Sequence, residues 1–305
     1  MNMAYKKGSS NSGSLYGTQL TYGKRLVLTA CIFVFMMIMA GFASQLAAYM
    51  AHSGTREHLL WTSVFQNIIG FAGTAVVTAM FLSRKPLEML GVSRSGTWLS
   101  IGGILLVYAV GIPFLNQVIW WNSQMHLPSA FASLEQTLRS WEESAGNTTG
   151  IILSGNSIGA LLVNVLTIGV VTGVCEELLF RGTFQRVIGS GPIGPHLSIW
   201  ITAVIFSVLH FQFFGFLPRV LLGAFFGYMF YWTGSIWIAA TAHALNNSIY
   251  VVVAWLTANG VPVGAMDGYG VTTQGFPAVA CVSLCLVLFI LVGLRKYLFN
   301  TRGNG

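Results

Sequence analysis

An all-α membrane protein, a polytopic bundle of about eight transmembrane helices, is the fold this sequence predicts, and three observations predict it. The chain of 305 residues is 54% hydrophobic and only 8% charged, against roughly 25% charged in a soluble domain. Its apolar residues fall into runs of about 20, the length a helix needs to cross hydrocarbon. Its basic residues gather in alternate connections between those runs, the usual mark of membrane orientation. The net charge of +7 therefore needs no nucleic-acid partner. No Walker motif occurs, and the one GxGxxG string, GSGPIG at 189–194, ends an apolar run of transmembrane length instead of following a strand, so no nucleotide cofactor is expected either.

Taken in order, residues 1–25 are polar and rich in Gly and Ser, and read as a disordered cytoplasmic N-terminus. Candidate spans follow at 26–49, 59–82, 98–121, 157–188, 197–214, 217–233, 235–257 and 276–294. They divide the chain into N-terminal transmembrane helices with an outer loop (26–150), a core (151–257), and a last loop, span and short basic tail (258–305). The long outer connection 123–150 places apolar residues at 131, 134, 138 and 141, a helical spacing. That suits either a short interfacial helix or a solvated one. The four cysteines, Cys31, Cys175, Cys281 and Cys285, show no zinc-type pairing and read as buried small residues.

Orientation follows from the loops. One side receives Lys24, Arg25, Arg84, Lys85, Arg186 and Arg295, whereas Arg56, Arg139 and Arg219 share the other with five acidic residues. This places both termini in the cytoplasm and makes the chain a multi-pass protein of the cell membrane, with the lipid bilayer as its first partner.

Against that background, "GVCEELLFRGTFQ" (173–185) is anomalous, because it sets Glu176 and Glu177 side by side within an apolar run. Carboxylates within lipid are costly and usually functional. Glu177 and Arg181 are four apart and share a helix face, so they can pair, while Glu176 points about 100° away. "FSVLH" sets Phe206 four before His210, and "HALNN" sets His243 four before Asn247. Counted up from the turns at 189–195 and 234, Glu176, His210 and His243 lie roughly 18, 21 and 14 Å into the membrane. Three helices thus carry polar groups to a similar depth, which favours a shared intramembrane cavity.

A carboxylate beside a histidine in a partly dry cavity can act as a general base on water. Attack on a peptide carbonyl then requires preplaced donors for the oxyanion, which His243 and Asn247 can supply. The same atoms allow a second version, in which Glu176, His210 and His243 hold Zn²⁺ with an open position for water. Spacing alone leaves both open, although no HExxH occurs. The aspartyl alternative lacks its motif, since no GxGD occurs; the letters GxSxG occur once, as GNSIG at 155–159, at the start of the span and away from the polar residues that share a depth.

The three motifs match EExxxR, FxxxH and HxxxN in order, and in this the chain resembles the CPBP family of intramembrane proteases. That family includes type II CAAX prenyl endopeptidases and bacteriocin-processing or immunity proteins. The resemblance covers roughly 157–257. It implies a multi-helix hydrolase, classed among metalloproteases, acting on a peptide or membrane-protein substrate. It also implies roles: Glu176 and His210 activate water, His243 and Asn247 stabilise the oxyanion, and Glu177, Arg181 and Phe206 support the site. Two other functions use the same features. One is a non-enzymatic immunity-type membrane protein; the other is a proton-coupled transporter using the buried acid and histidines as a relay.

Overall fold

The computed structural model describes residues 20–50, 54–263 and 268–302. Most of the expected N-terminal tail lies outside them, as does Asp267 in the last loop. Among the described residues the chain is helical, with no strand. In chain order the helices are α1 (Tyr22–Met50), α2 (Thr55–Leu82), α3 (Pro86–Leu90), α4 (Trp98–Ser123) and α5 (Ala132–Leu153). They continue with α6 (Ile158–Gly189), α7 (Gly194–Val208), α8 (Phe216–Thr233), α9 (Ile236–Ala258) and α10 (Ala278–Arg302).

Among the described residues seven helices are long and apolar enough to cross a membrane, which makes this a polytopic helical bundle. The expected fifth span, 197–214, is the exception. Its helix α7 has 15 residues, a rise of roughly 22 Å against a hydrocarbon core of about 30 Å. The apolar run continues to Leu217, but the backbone turns at Phe211, where φ is +52°. The chain then reverses into α8, which packs along α7. α1 begins at Tyr22, slightly ahead of the first expected span. Only Cys175 is a buried cysteine; Cys31 and Cys285 face outward and Cys281 is intermediate.

Close approach between helices comes from small residues, as it must where lipid removes the hydrophobic drive. A Cβ on Gly173 of α6 would lie 2.8 Å from the backbone nitrogen of Ala244 on α9. Gly223 and Gly227 of α8 likewise seat against Ala203 and Ile199 of α7. These contacts bring α6, α7, α8 and α9 together around the two glutamates.

Breaks in the ladders are repaired locally, since no water reaches a backbone group in hydrocarbon. Pro113 interrupts α4. The Ser283 hydroxyl of α10 donates to the Val110 carbonyl at 2.5 Å and accepts from the Phe114 N–H at 3.3 Å, bridging the gap. α2 and α6 contain π-helical turns, at Gln66–Gly73, Val165–Val171 and Leu178–Phe184. There the hydroxyls of Thr172 and Thr183 reach carbonyls five residues back, at Thr167 and Leu178. The two glutamates occupy the α-helical turn Thr172–Glu177 between the π segments of α6, a type of irregularity common at functional sites.

α5 is longer than the expected loop helix and has no buried residue. It lies over the end of α7 and α8, where Trp141 meets Phe211 edge to face with centroids 6.1 Å apart.

Candidate active site

α6 continues well past the glutamates, so both are interior to a helix rather than at its end. Glu177 and Arg181 are fully buried, and Glu176 is 7% exposed. Arg181 Nη1 donates to Glu177 Oε1 at 2.8 Å, and Nη2 donates to the Gly223 carbonyl of α8 at 2.9 Å. Its guanidinium also lies 5.0 Å from the centroid of the Phe206 ring and 5.4 Å from that of Phe226. An ion pair so deeply desolvated persists only with such additional partners.

Glu177 has a second partner that helix geometry alone does not disclose. His243 of α9 places Nδ1 2.8 Å from Glu177 Oε1. An ionised carboxylate only accepts, so Nδ1 carries the proton. The ring is thereby fixed, with Nε2 facing Glu176 Oε2 at 3.7 Å. Phe226 stacks on the imidazole at 4.8 Å and Phe206 meets it edge-on at 5.6 Å. The carboxylate that spacing assigns to Arg181 therefore also orients a histidine.

His210 lies just beyond the last helical turn of α7, so Phe206 and His210 do not share a continuous helical face. They still touch: the ring centroids are 4.7 Å apart, and His210 Nδ1 is 2.7 Å from the Phe206 carbonyl. Phe206 thus stands between the two histidines. His210 is within electrostatic reach of both Glu176 and His243.

Asn247 lies one turn further along α9. Its Nδ2 donates to the Ile168 carbonyl at 3.2 Å, within the π segment of α6. An amide nitrogen has two N–H donors, and Ile168 takes one. The site thus brings Glu176, Glu177, Arg181, Phe206 and His243 into direct contact, with His210 behind Phe206 and Asn247 on the flank.

The zinc version has mixed support. With His243 Nδ1 on Glu177 and His210 Nδ1 on a carbonyl, each histidine keeps Nε2 as a potential donor, but the three groups do not converge. Among the described residues no three His, Cys, Asp or Glu side chains gather as metal ligands. Glu176 Oε2 is a buried oxygen with no hydrogen-bond partner in the protein, as suits a carboxylate reserved for a ligand.

Sequence reasoning passed over Tyr108, whose hydroxyl donates to the Ala242 carbonyl beside His243 at 2.9 Å. It also passed over Asn122, which reaches the turn that carries His210. A polar residue within or closing an apolar run was the available signal for both.

Residues 158–249 match a family model described as Type II CAAX prenyl endopeptidase Rce1-like. Over 91 residues the chain is 25% identical to a protein of Bacillus subtilis (strain 168) named Uncharacterized protein YpbD. That match covers 28% of this chain and 43% of the relative, so the chain spans under half the length of the curated protein it resembles. No solved structure matches it. Residues 158–249 hold every predicted site residue, and over them the chain is similar to the Rce1-like family, in keeping with its three motifs.

Proposed function

We propose that the chain is an intramembrane endopeptidase that hydrolyses a peptide bond of a membrane-associated protein or peptide precursor. The observation that carries this reading is the buried Glu176 carboxylate facing His243 Nε2, with His243 oriented by Glu177. Glu176 removes a proton from a water molecule, and the hydroxide adds to the substrate carbonyl carbon. His210, within electrostatic reach of Glu176, assists at the water. The resulting oxyanion accepts hydrogen bonds from His243 Nε2–H and from the second N–H of Asn247. Because Nδ1 already donates to Glu177, His243 gives a hydrogen from Nε2 only as the imidazolium. The carboxylates on either side stabilise that cation. Collapse of the tetrahedral intermediate breaks the C–N bond, and the proton held by Glu176 passes to the leaving amine.

The substrate is proposed by family alone. The matching family is described as a type II CAAX prenyl endopeptidase, and the spans of this chain suit a substrate already in or on a bilayer. From the positive-inside distribution of charge we propose that both termini face the cytoplasm and that the protein sits in a cell membrane, with α7 returning the chain as a shortened crossing.

The test compares peptide termini in membranes from cells expressing wild type or Glu176→Ala at equal level. New termini found only with wild type are expected. Their persistence with Glu176→Ala contradicts the reading. Incubation of wild-type membranes with a zinc chelator is expected to leave cleavage intact; its loss would return the metalloprotease version to favour.

A further inference from the structure

His210 is held by a turn rather than a helix, so its position depends on whatever fixes residues 207–217. Within that turn Phe211 adopts φ +52°, a left-handed conformation that a bulky residue holds only under external restraint. Several side chains provide restraint. The Ser207 hydroxyl donates to the Phe216 carbonyl at 2.9 Å. Arg219 Nη1 donates to the Gln212 carbonyl at 2.9 Å, and Glu142 of α5 accepts from the Phe214 N–H at 2.8 Å.

Asn122 differs from these in gripping the turn at two places. Its Nδ2 donates to the Phe213 carbonyl at 3.1 Å, and its Oδ1 accepts from the Leu217 N–H at 2.6 Å. It comes from the end of α4, outside the family match, and is 1% exposed. A short side chain that both donates and accepts at fixed geometry is a carboxamide; neither an aliphatic residue nor an ionised carboxylate can substitute. The clasp closes the return leg of the turn and so holds Phe211 in its strained state, with His210 behind Phe206.

We propose that Asn122 is a positioning residue for His210, acting through the Phe211 turn. The inference rests on the reading of His210 as a catalytic group, but its test does not require proteolysis. The full chain in nanodiscs is treated with diethyl pyrocarbonate, and the modification rate of each histidine is followed by mass spectrometry. Asn122→Ala is expected to change the rate at His210 roughly tenfold, the equivalent of one oriented hydrogen bond, while leaving His196 and His243 unchanged. Asn122→Asp, which keeps the acceptor for Leu217 and loses the donor, is expected to give a smaller change and serves if the alanine variant fails to fold. Adding Phe211→Gly is expected to return the His210 rate towards wild type, because glycine takes a positive φ without strain.

A wild-type rate at His210 in both Asn122 variants overturns the proposal. So does an equal change at all three histidines, which would indicate general loosening, and so does the absence of rescue by Phe211→Gly. If instead His210→Ala retains cleavage, the proposed reaction fails while the reactivity data still decide the role of Asn122.

Discussion

The chain builds the same trio of side chains twice, once exposed and once buried. On α5, Glu135 accepts from Arg139 four residues later and pairs with His126 Nδ1 at 3.0 Å. On α6, Glu177 accepts from Arg181 four residues later and from His243 Nδ1 at 2.8 Å. The Glu–Arg spacing and the chemistry agree; the surroundings do not. Arg139 keeps 43% of its side chain exposed, whereas Arg181 and Glu177 keep none. In water such a pair contributes little. In the bundle each member is indispensable to the others, because a lone buried charge is costly. The difference teaches that the motif gains its meaning from depth, and that the buried trio can fix a histidine while the exposed one fastens a loop.

Removing Arg181 is the harshest way to test the contrast. Arg181→Ala is expected to destabilise the protein by about 3–5 kcal/mol, because Glu177 is left unpaired. Replacing both partners, as Glu177→Leu with Arg181→Met, is expected to restore much of the thermal stability but not cleavage. Recovery of cleavage in that double variant would show that the pair serves only the fold.

A gentler change separates orientation from folding. Glu177→Gln keeps the shape and can still hydrogen-bond, yet loses the charge that holds the His243 imidazolium. Cleavage is expected to fall by roughly 10²–10⁴-fold, while the melting temperature falls less than in Arg181→Ala, because the carboxamide still accepts from Arg181 although the counter-charge is gone. The matching exposed change, Glu135→Gln, is expected to alter neither cleavage nor melting measurably. Equal effects at the two positions would erase the distinction.

The smallest expected effect is one of pH. The Glu135 carboxyl is held down to about 2, first by the Arg139 hydrogen bond, then by the Leu127 N–H and His126. A lowered value means that the clasp is complete above the ordinary 4.5 and is lost as pH falls through about 2. Amide exchange at Leu127 is expected to stay slow, relative to an unprotected amide at the same pH, down to about pH 4.5 and to lose that protection progressively as pH falls from there through about 2. Protection lost already near neutrality would contradict this.

How much of this was legible depended on which partner a residue meets. Glu176, Glu177, Arg181 and His243 could be grouped from periodicity and depth, because regular helices carry both faithfully. The contact between Glu177 and His243 needed the packing angle of α6 against α9, which Gly173 sets and spacing does not reveal. The short α7 was read as a full span because hydropathy sees only that "FSVLHFQFFGFL" is apolar, not that Phe211 reverses the chain. The partners of Asn122, Glu142 and Arg219 were hidden for a related reason: these side chains bond backbone atoms of that turn, and no side-chain pattern records a backbone partner. The π segments left no trace either, since one extra residue in a uniformly apolar run changes no pattern.

The central claim, that the buried acid of α6 performs peptide hydrolysis, meets its most direct test in purified proteoliposomes. Wild type, Glu176→Gln and His210→Ala are each reconstituted with a solubilised membrane-protein fraction, and new peptide N-termini are mapped. The account predicts a defined set of termini with wild type and none above background with either variant. The same termini at the same rate from Glu176→Gln would contradict it.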